Sequence, residues 1–181
     1  MTVDAPASPD PAAPPASTLP PPGAQRMRAG RRWTFALAVA VMALDQVLKV
    51  TIDALLPVGG ARVFRLFDFQ RVYNPGINFG VLREHPAPVL VASVLIGAGF
   101  LLYVVWRPPR SWWSALGFGL LLGGGAGNLI DRVRLGAVFD YLNITPFVGY
   151  LNLADLAIGG GILVALLDAV WPRKRPAESS R

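Results

Sequence analysis

The sequence predicts an all-α membrane protein, four transmembrane helices with a small extracytoplasmic β-structure. Composition is the first sign. Of 181 residues, 53% are hydrophobic and 15% charged, against about 25% charged in an ordinary soluble domain. Second, four apolar segments recur, each close to the ~20 residues that cross a hydrocarbon core. Third, Lys and Arg divide unequally between the loops joining them, as they do across a bilayer. The length suits one domain.

Residues 1–25 are rich in Pro, Ala and Ser, with Asp4 and Asp10 the charged members. Such a segment cannot bury enough apolar surface to offset its ordering entropy. It reads as a disordered cytoplasmic tail before a four-helix domain over 26–172. Arg26, Arg28, Arg31 and Arg32 lead into an apolar run from Trp33. A basic flank and Ala38-Val39-Ala40 resemble a secretory signal and its cleavage site. The run continues past Ala40 through Val50, however, which favours a first span over 33–53. Asp45 and Lys49 lie four residues apart on it, on one helix face where they can pair. Gln46 lies beside them.

Residues 54–86 form a long loop. From Val63 to Tyr73 it interleaves Phe and Val with charges, which predicts short β-strands near a membrane surface. It closes on Asn74-Pro75-Gly76-Ile77-Asn78-Phe79-Gly80, where Asn-Pro and Gly signal a turn. The second span is 87–106. Arg107-Pro108-Pro109-Arg110 connects it to a third, 112–130. A polar loop over 131–151 precedes the fourth span, 153–171, and residues 173–181 form a basic cytoplasmic tail.

Four spans put both termini on one side. That side carries Arg26, Arg28, Arg31, Arg32, Arg107, Arg110, Arg173, Lys174, Arg175 and Arg181. The other side carries Arg62, Arg65, Arg71, Arg83, Arg132 and Arg134. The richer side is expected to be cytoplasmic, so the charge of +6 calls for no nucleic-acid partner. The third span then travels outward and lifts Asn128 roughly 24 Å above Trp112 at ~1.5 Å per residue. Asp155 opens the inward-travelling fourth span. Asp45 and Lys49 fall in the outer half of the first. Asn128, Arg132, Asp140, Asn152 and Asp155 therefore gather near the outer face with them. Polar groups at a membrane boundary are costly and point to function. Gly119, Gly123 and Gly127 recur every four residues, a stripe that allows close helix approach, and Gly159, Gly160 and Gly161 can act likewise.

The chain has no cysteine and one histidine, His85, in a loop. Thiol chemistry is excluded, and acid–base work falls to carboxylates. Two carboxylates in a partly dry site do not both ionise easily, so one serves as base toward water and the other as acid toward a peptide carbonyl. Asp140 and Asp155 suit this pair, although Asp155 also reads as an ordinary helix N-terminal charge. Asp131, next to Arg132, is expected to form a structural ion pair, and Asp168 lies beside the basic tail.

At these residues the chain resembles the lipoprotein signal peptidase (signal peptidase II) family. Four blocks carry the resemblance. They are Asp45-Gln46-Val47-Leu48-Lys49, the 74–80 loop, Gly127-Asn128-Leu129-Ile130-Asp131-Arg132 continuing to Gly136-Ala137-Val138-Phe139-Asp140-Tyr141, and Leu151-Asn152-Leu153-Ala154-Asp155. The resemblance implies an aspartyl endopeptidase of the bacterial inner membrane. Its substrate is a diacylglyceryl-modified prolipoprotein, cut just before the lipidated cysteine. Asp140 and Asp155 correspond to the catalytic pair, and Asp45, Lys49, Asn74, Gly76, Asn128, Arg132 and Asn152 to substrate-binding or supporting positions. No metal or organic cofactor is implied. The expected setting is a monomer in membrane lipid with its active site at the outer face. Asn78 stands where the family usually has Ala, and Tyr141 and Leu151 replace usual Phe residues. Phe64, Phe67, Phe69 and Phe79 are expected to clamp over the site. A rival class, a small transporter, needs a polar path through the whole membrane, and the inner halves of these spans offer only Thr34, Ser93, Ser114 and Asp168.

Overall fold

The computed structural model describes residues 22–64, 67–76, 82, 84–144 and 149–170. Four helices, α1 (Pro22–Leu55), α2 (Pro86–Trp106), α3 (Trp112–Leu135) and α4 (Leu153–Val170), form an up-and-down bundle. Each contains a segment long and apolar enough to cross a membrane: Gly30–Leu55, Pro86–Trp106, Trp112–Leu135 and Leu153–Val170. Four strands, β1 (Ala61–Phe64), β2 (Phe67–Asn74), β3 (Val138–Ile144) and β4 (Gly149–Leu151), form one antiparallel sheet in sequence order. The sheet lies at the bundle end where α1 and α3 finish and α2 and α4 begin.

Two helix boundaries differ most from the sequence reading. Helix α1 begins at Pro22, so residues 22–25 are helical rather than tail. Residues 1–21 and the basic segment from 171 onward lie outside the described residues. Helix α3 runs to Leu135, so Asp131, Arg132 and Arg134 belong to a helix and not to a loop. Charge alone misleads there, because Asp131 is buried by partners contributed from another helix. The loop also holds strands β3 and β4, unforeseen because β3 alternates poorly and β4 is only three residues long. β3 is buried over Val138–Tyr141 on both faces, and a two-sided buried strand loses its period-two pattern.

Helix α3 is the central element. It packs on α1, α4 and α2, and it is the most buried of the four helices. Its glycines explain how. A Cβ on Gly119 would meet Leu37, and one on Gly123 would meet Ala38 and Val41. The predicted stripe therefore faces α1. Gly117 and Gly124 face α4, against Gly161 and Ala154 respectively. Of Gly159, Gly160 and Gly161 only Gly161 is in close contact, with Gly117 and Leu121. Close backbone approach on two faces at once is what a small-residue helix allows.

Both ends of α3 carry explicit stop signals. Ser111 and Ser114 form a reciprocal capping box at the start. Gly136 closes the end at φ 69°, with its N–H donating to Arg132 O at 3.1 Å. A side chain is disfavoured in that left-handed conformation. The chain thereby turns straight into β3 and carries Asp140 back over the bundle.

Candidate active site

Helix α4 begins under the sheet, and its first turn organises the polar cluster. The first backbone N–H groups of any helix have no intrahelical acceptor. Here each finds one. Leu153 N–H donates to the Tyr141 hydroxyl at 3.1 Å, Ala154 N–H to Asp45 Oδ1 at 2.9 Å, and Asp155 N–H to Asn152 Oδ1 at 2.9 Å. Asn152 N–H donates in return to Asp155 Oδ2 at 3.2 Å. Asn152 and Asp155 thus form a capping box, with Asp155 as its third-position acid. The ordinary helix-terminus role of Asp155 and its place in the cluster are the same arrangement.

Asn152 also reaches the other carboxylate. Its Nδ2 donates to Asp140 Oδ1 at 2.7 Å, and Asn74 Nδ2 lies 3.4 Å from Asp140 Oδ2. Asn128 Nδ2 donates to Asp155 Oδ1 at 2.8 Å, while Asn128 Oδ1 accepts from Asn152 Nδ2 at 3.1 Å. Asp140 and Asp155 are therefore joined through one residue, Asn152, and steadied by Asn74 and Asn128. Burial, and then the charge of Asp155, push the Asp140 carboxyl up from an ordinary 3.8 to about 7, against the opposing pull of Asn152, Asn74 and Lys49.

Behind this layer lies a buried ion triad. Lys49 Nζ sits 2.9 Å from Asp45 Oδ2, 2.7 Å from Asp131 Oδ2 and 3.0 Å from Asn128 Oδ1. An ammonium has three N–H donors, and all three are spent. Asp131 also accepts from Phe139 N–H at 3.1 Å and from Gln46 Nε2 at 3.0 Å. The expected i, i+4 pair of Asp45 and Lys49 is present. The expected Asp131–Arg132 pair is not: adjacent helical residues point about 100° apart, and the partner of Asp131 comes from α1.

Arg132 turns instead toward the 74–80 turn. Its Nη2 donates to Gly76 O at 3.1 Å and its Nη1 to Asn128 O at 3.3 Å, while its buried Nε has no hydrogen-bond partner among the described residues. Gly76 N–H donates to Asn74 Oδ1 at 3.1 Å, which fixes the Asn74 amide with its donor end toward Asp140. Positions 77–80, including Asn78 and Phe79, lie outside the described residues, as do the side chains of Phe64 and Phe67. Of the expected clamp, Phe69 remains. It stacks on Tyr141 with ring centroids 6.2 Å apart, two residues along the chain from Phe139, whose carbonyl faces Asn152 at 3.4 Å.

Every predicted site residue within the described region thus enters one connected network: Asp45, Lys49, Asn74, Gly76, Asn128, Arg132, Asp140, Asn152 and Asp155. The sequence reading assigned no role to Gln46 or to the Tyr141 hydroxyl. A glutamine beside an intramembrane Asp was a usable signal for the first. Nothing in the sequence pointed to the second. Among the described residues, no group of three or more His, Asp or Glu is placed to hold a metal ion.

Comparison with known proteins agrees with this architecture. A family model described as signal peptidase (SPase) II matches residues 37–171. A lipoprotein signal peptidase of Desulfitobacterium hafniense is 40% identical over 145 residues, covering 76% of this chain and 94% of that protein. One from a Synechococcus species is 35% identical over 151 residues, covering 80% and 99%. A bacterial membrane enzyme solved by the in meso method at 2.3 Å resolution superposes with a TM-score of 0.69 at 23% identity, covering 80% of this chain and 94% of that one. A second, at 1.9 Å resolution, gives 0.66 at 22% identity, covering 77% and 94%. These structures share the fold. With the family model spanning most of the length, and relatives at 35–40% identity covering three quarters of the chain or more, the chain belongs to the signal peptidase II family.

Proposed function

We propose that this chain removes the signal peptide from diacylglyceryl-modified prolipoproteins by aspartyl chemistry at Asp140 and Asp155, cutting just before the lipidated cysteine. The observation that carries the reading is the Asn152 bridge. One residue donates to Asp140 through its amide at 2.7 Å and to Asp155 through its backbone N–H at 3.2 Å. The two carboxylates are thereby held as a pair with unequal surroundings, the arrangement that separates an acid from a base.

Asp140, pushed up to about 7, keeps its proton near neutral pH and hydrogen-bonds the scissile carbonyl. Asp155, which accepts from Asn128 and Asn152, takes a proton from water as that water attacks the carbonyl carbon. When the C–N bond breaks, Asp155 returns this proton to the leaving amine of the lipidated cysteine. The signal peptide leaves as a carboxylic acid, and Asp140 recovers its own proton from the collapsing hydroxyl. The first-turn N–H groups of α4 are spent on Tyr141, Asp45 and Asn152, so they do not serve as an oxyanion hole. The charge developing on oxygen falls to the Asp140 proton, to Asn74 Nδ2 and to Arg132 Nε.

The cell setting belongs to the same reading. The chain works as a monomer in the bacterial inner membrane, both termini cytoplasmic, with the site at the outer face. There the acyl chains of the substrate stay in lipid while water reaches the peptide bond. The ten basic residues that the sequence assigns to the side of the termini, against six in the sheet-end loops, support this orientation. The chain has no native cysteine, so single cysteines placed at Val58 or Arg110 report topology cleanly. The first is expected to label from outside and the second only after lysis.

The deciding measurement is cleavage of a diacylglyceryl prolipoprotein by the purified protein in detergent, with product masses recorded. Asp140→Asn and Asp155→Asn are each expected to lower turnover by about 10³-fold or more without unfolding the bundle. Full activity in either variant removes that residue from the pair, and a product cut elsewhere than before the lipidated cysteine overturns the substrate assignment.

A further inference from the structure

The bundle end away from the sheet carries a different chemistry. Four of the chain's five tryptophans belong to it: Trp33, Trp106, Trp112 and Trp113. The four that are described are exposed by 60%, 76%, 62% and 59%. Arg31, Arg32, Arg107 and Arg110 lie exposed among them. These residues form one surface. Trp33 meets Trp112 edge to face at 6.4 Å between centroids. The Thr34 hydroxyl donates across to Ala115 O at 3.2 Å. A Cβ on Gly30 would touch Pro109 of the α2–α3 turn at 3.5 Å. Among the described residues the acid at this end is Asp168, which accepts from the Ser111 hydroxyl at 2.9 Å.

Each component matches a phospholipid headgroup. Indoles settle at headgroup depth because one edge is polar and the ring is not. Guanidinium groups fork onto phosphate oxygens. A cluster of arginines beside a span is attracted to an anionic leaflet. We propose that this collar is a binding surface for anionic phospholipid, with the phosphate held between the Arg31–Arg32 and Arg107–Arg110 pairs and the glycerol region ringed by Trp33, Trp106 and Trp112. The surface is at the opposite end of the bundle from Asp140 and Asp155, and the inference does not depend on the reaction proposed for them.

The tryptophans are the natural probe. In bilayers mixing zwitterionic lipid with phosphatidylglycerol, one or the other is brominated near the glycerol end of its acyl chains, and quenching of tryptophan fluorescence reports which lipid sits against the collar. The full chain at low salt is expected to prefer phosphatidylglycerol by about five-fold or more. The preference falls toward unity as salt approaches about 1 M, where the Debye length is about 3 Å. Arg107→Gln with Arg110→Gln abolishes most of it, while Arg62→Gln at the sheet end leaves it intact. Equal quenching by both lipids in the unsubstituted protein at low salt overturns the proposal. So does displacement of the lipid by soluble glycerol phosphate at matched concentration, which assigns the arginines to free anions.

Discussion

Lys49 Nζ lies 2.7 Å from Asp131 Oδ2, an ion pair that joins α1 to α3 across 82 positions of sequence (131 − 49) inside the bundle. The same ammonium holds Asp45, whose other oxygen caps α4. One lysine therefore fixes three of the four helices beneath the site, and its third N–H orients Asn128 toward Asp155.

Lys49→Met is expected to be among the most damaging substitutions away from the carboxylate pair. It leaves two buried carboxylates without a counter-ion, and breaking a buried pair in this way costs about 3–5 kcal/mol. Thermal unfolding in detergent measures the loss. Adding Asp131→Asn to Lys49→Met is expected to recover part of it, because one of the stranded charges is gone. An unchanged melting temperature in the single variant would mean that the triad contributes no stability.

The Asp140 carboxyl titrates at about 7 in the folded chain and near 3.8 when unfolded. Between these values the folded chain binds the extra proton, so stability falls as pH rises from about 4 to 7 and the penalty is fully present above that. Asp140→Asn is expected to raise the melting temperature at pH 8 and to change it little at pH 4. Turnover of the parent enzyme is expected to fall as pH rises through about 7. Asn152→Ala removes a donor that favours the ionised form of Asp140, so the alkaline limb is expected to move upward as the rate drops. A limb that stays in place would separate Asn152 from Asp140.

Tyr141→Phe tests the hydroxyl that closes the start of α4. The Tyr141 hydroxyl accepts the Leu153 N–H at 3.1 Å, and phenylalanine leaves that helix-terminal donor without its partner. A loss of roughly 1 kcal/mol is expected, read as a lower melting temperature with the cut site unchanged. No loss would show that water or lipid headgroups satisfy the donor equally well.

The glycines of α3 separate by face. A Cβ on Gly127 would approach Asp45 Oδ2 to 2.5 Å, whereas one on Gly125 meets nothing within 4 Å. Gly127→Ala is expected to cost about 1–3 kcal/mol and to lower turnover by disturbing the cap on α4. Gly125→Ala is expected to be neutral or slightly stabilising. Equal effects of the two in thermal unfolding would remove the Asp45 contact as the cause.

Much of this was legible in the residues. Span length and hydropathy are local properties, so the four helices follow from composition and from the 1.5 Å rise. The i, i+4 spacing of Asp45 and Lys49 predicted their pairing, which the structure has at 2.9 Å. Chain direction alone brought Asn128, Asp140 and Asp155 to one depth. Partner choice was not legible. Asp131 pairs with Lys49 rather than its neighbour Arg132, because facing direction on a helix is decided by which helix packs beside it. The cap on Ala154 comes from Asp45, 109 residues earlier, and the Tyr141 hydroxyl serves a helix whose start is 12 residues on. The sequence by itself determined which polar groups enter the bundle and at what height. Only the tertiary structure decided which of them satisfy each other, because buried donors and acceptors are matched through space, and burial makes each unmatched one costly.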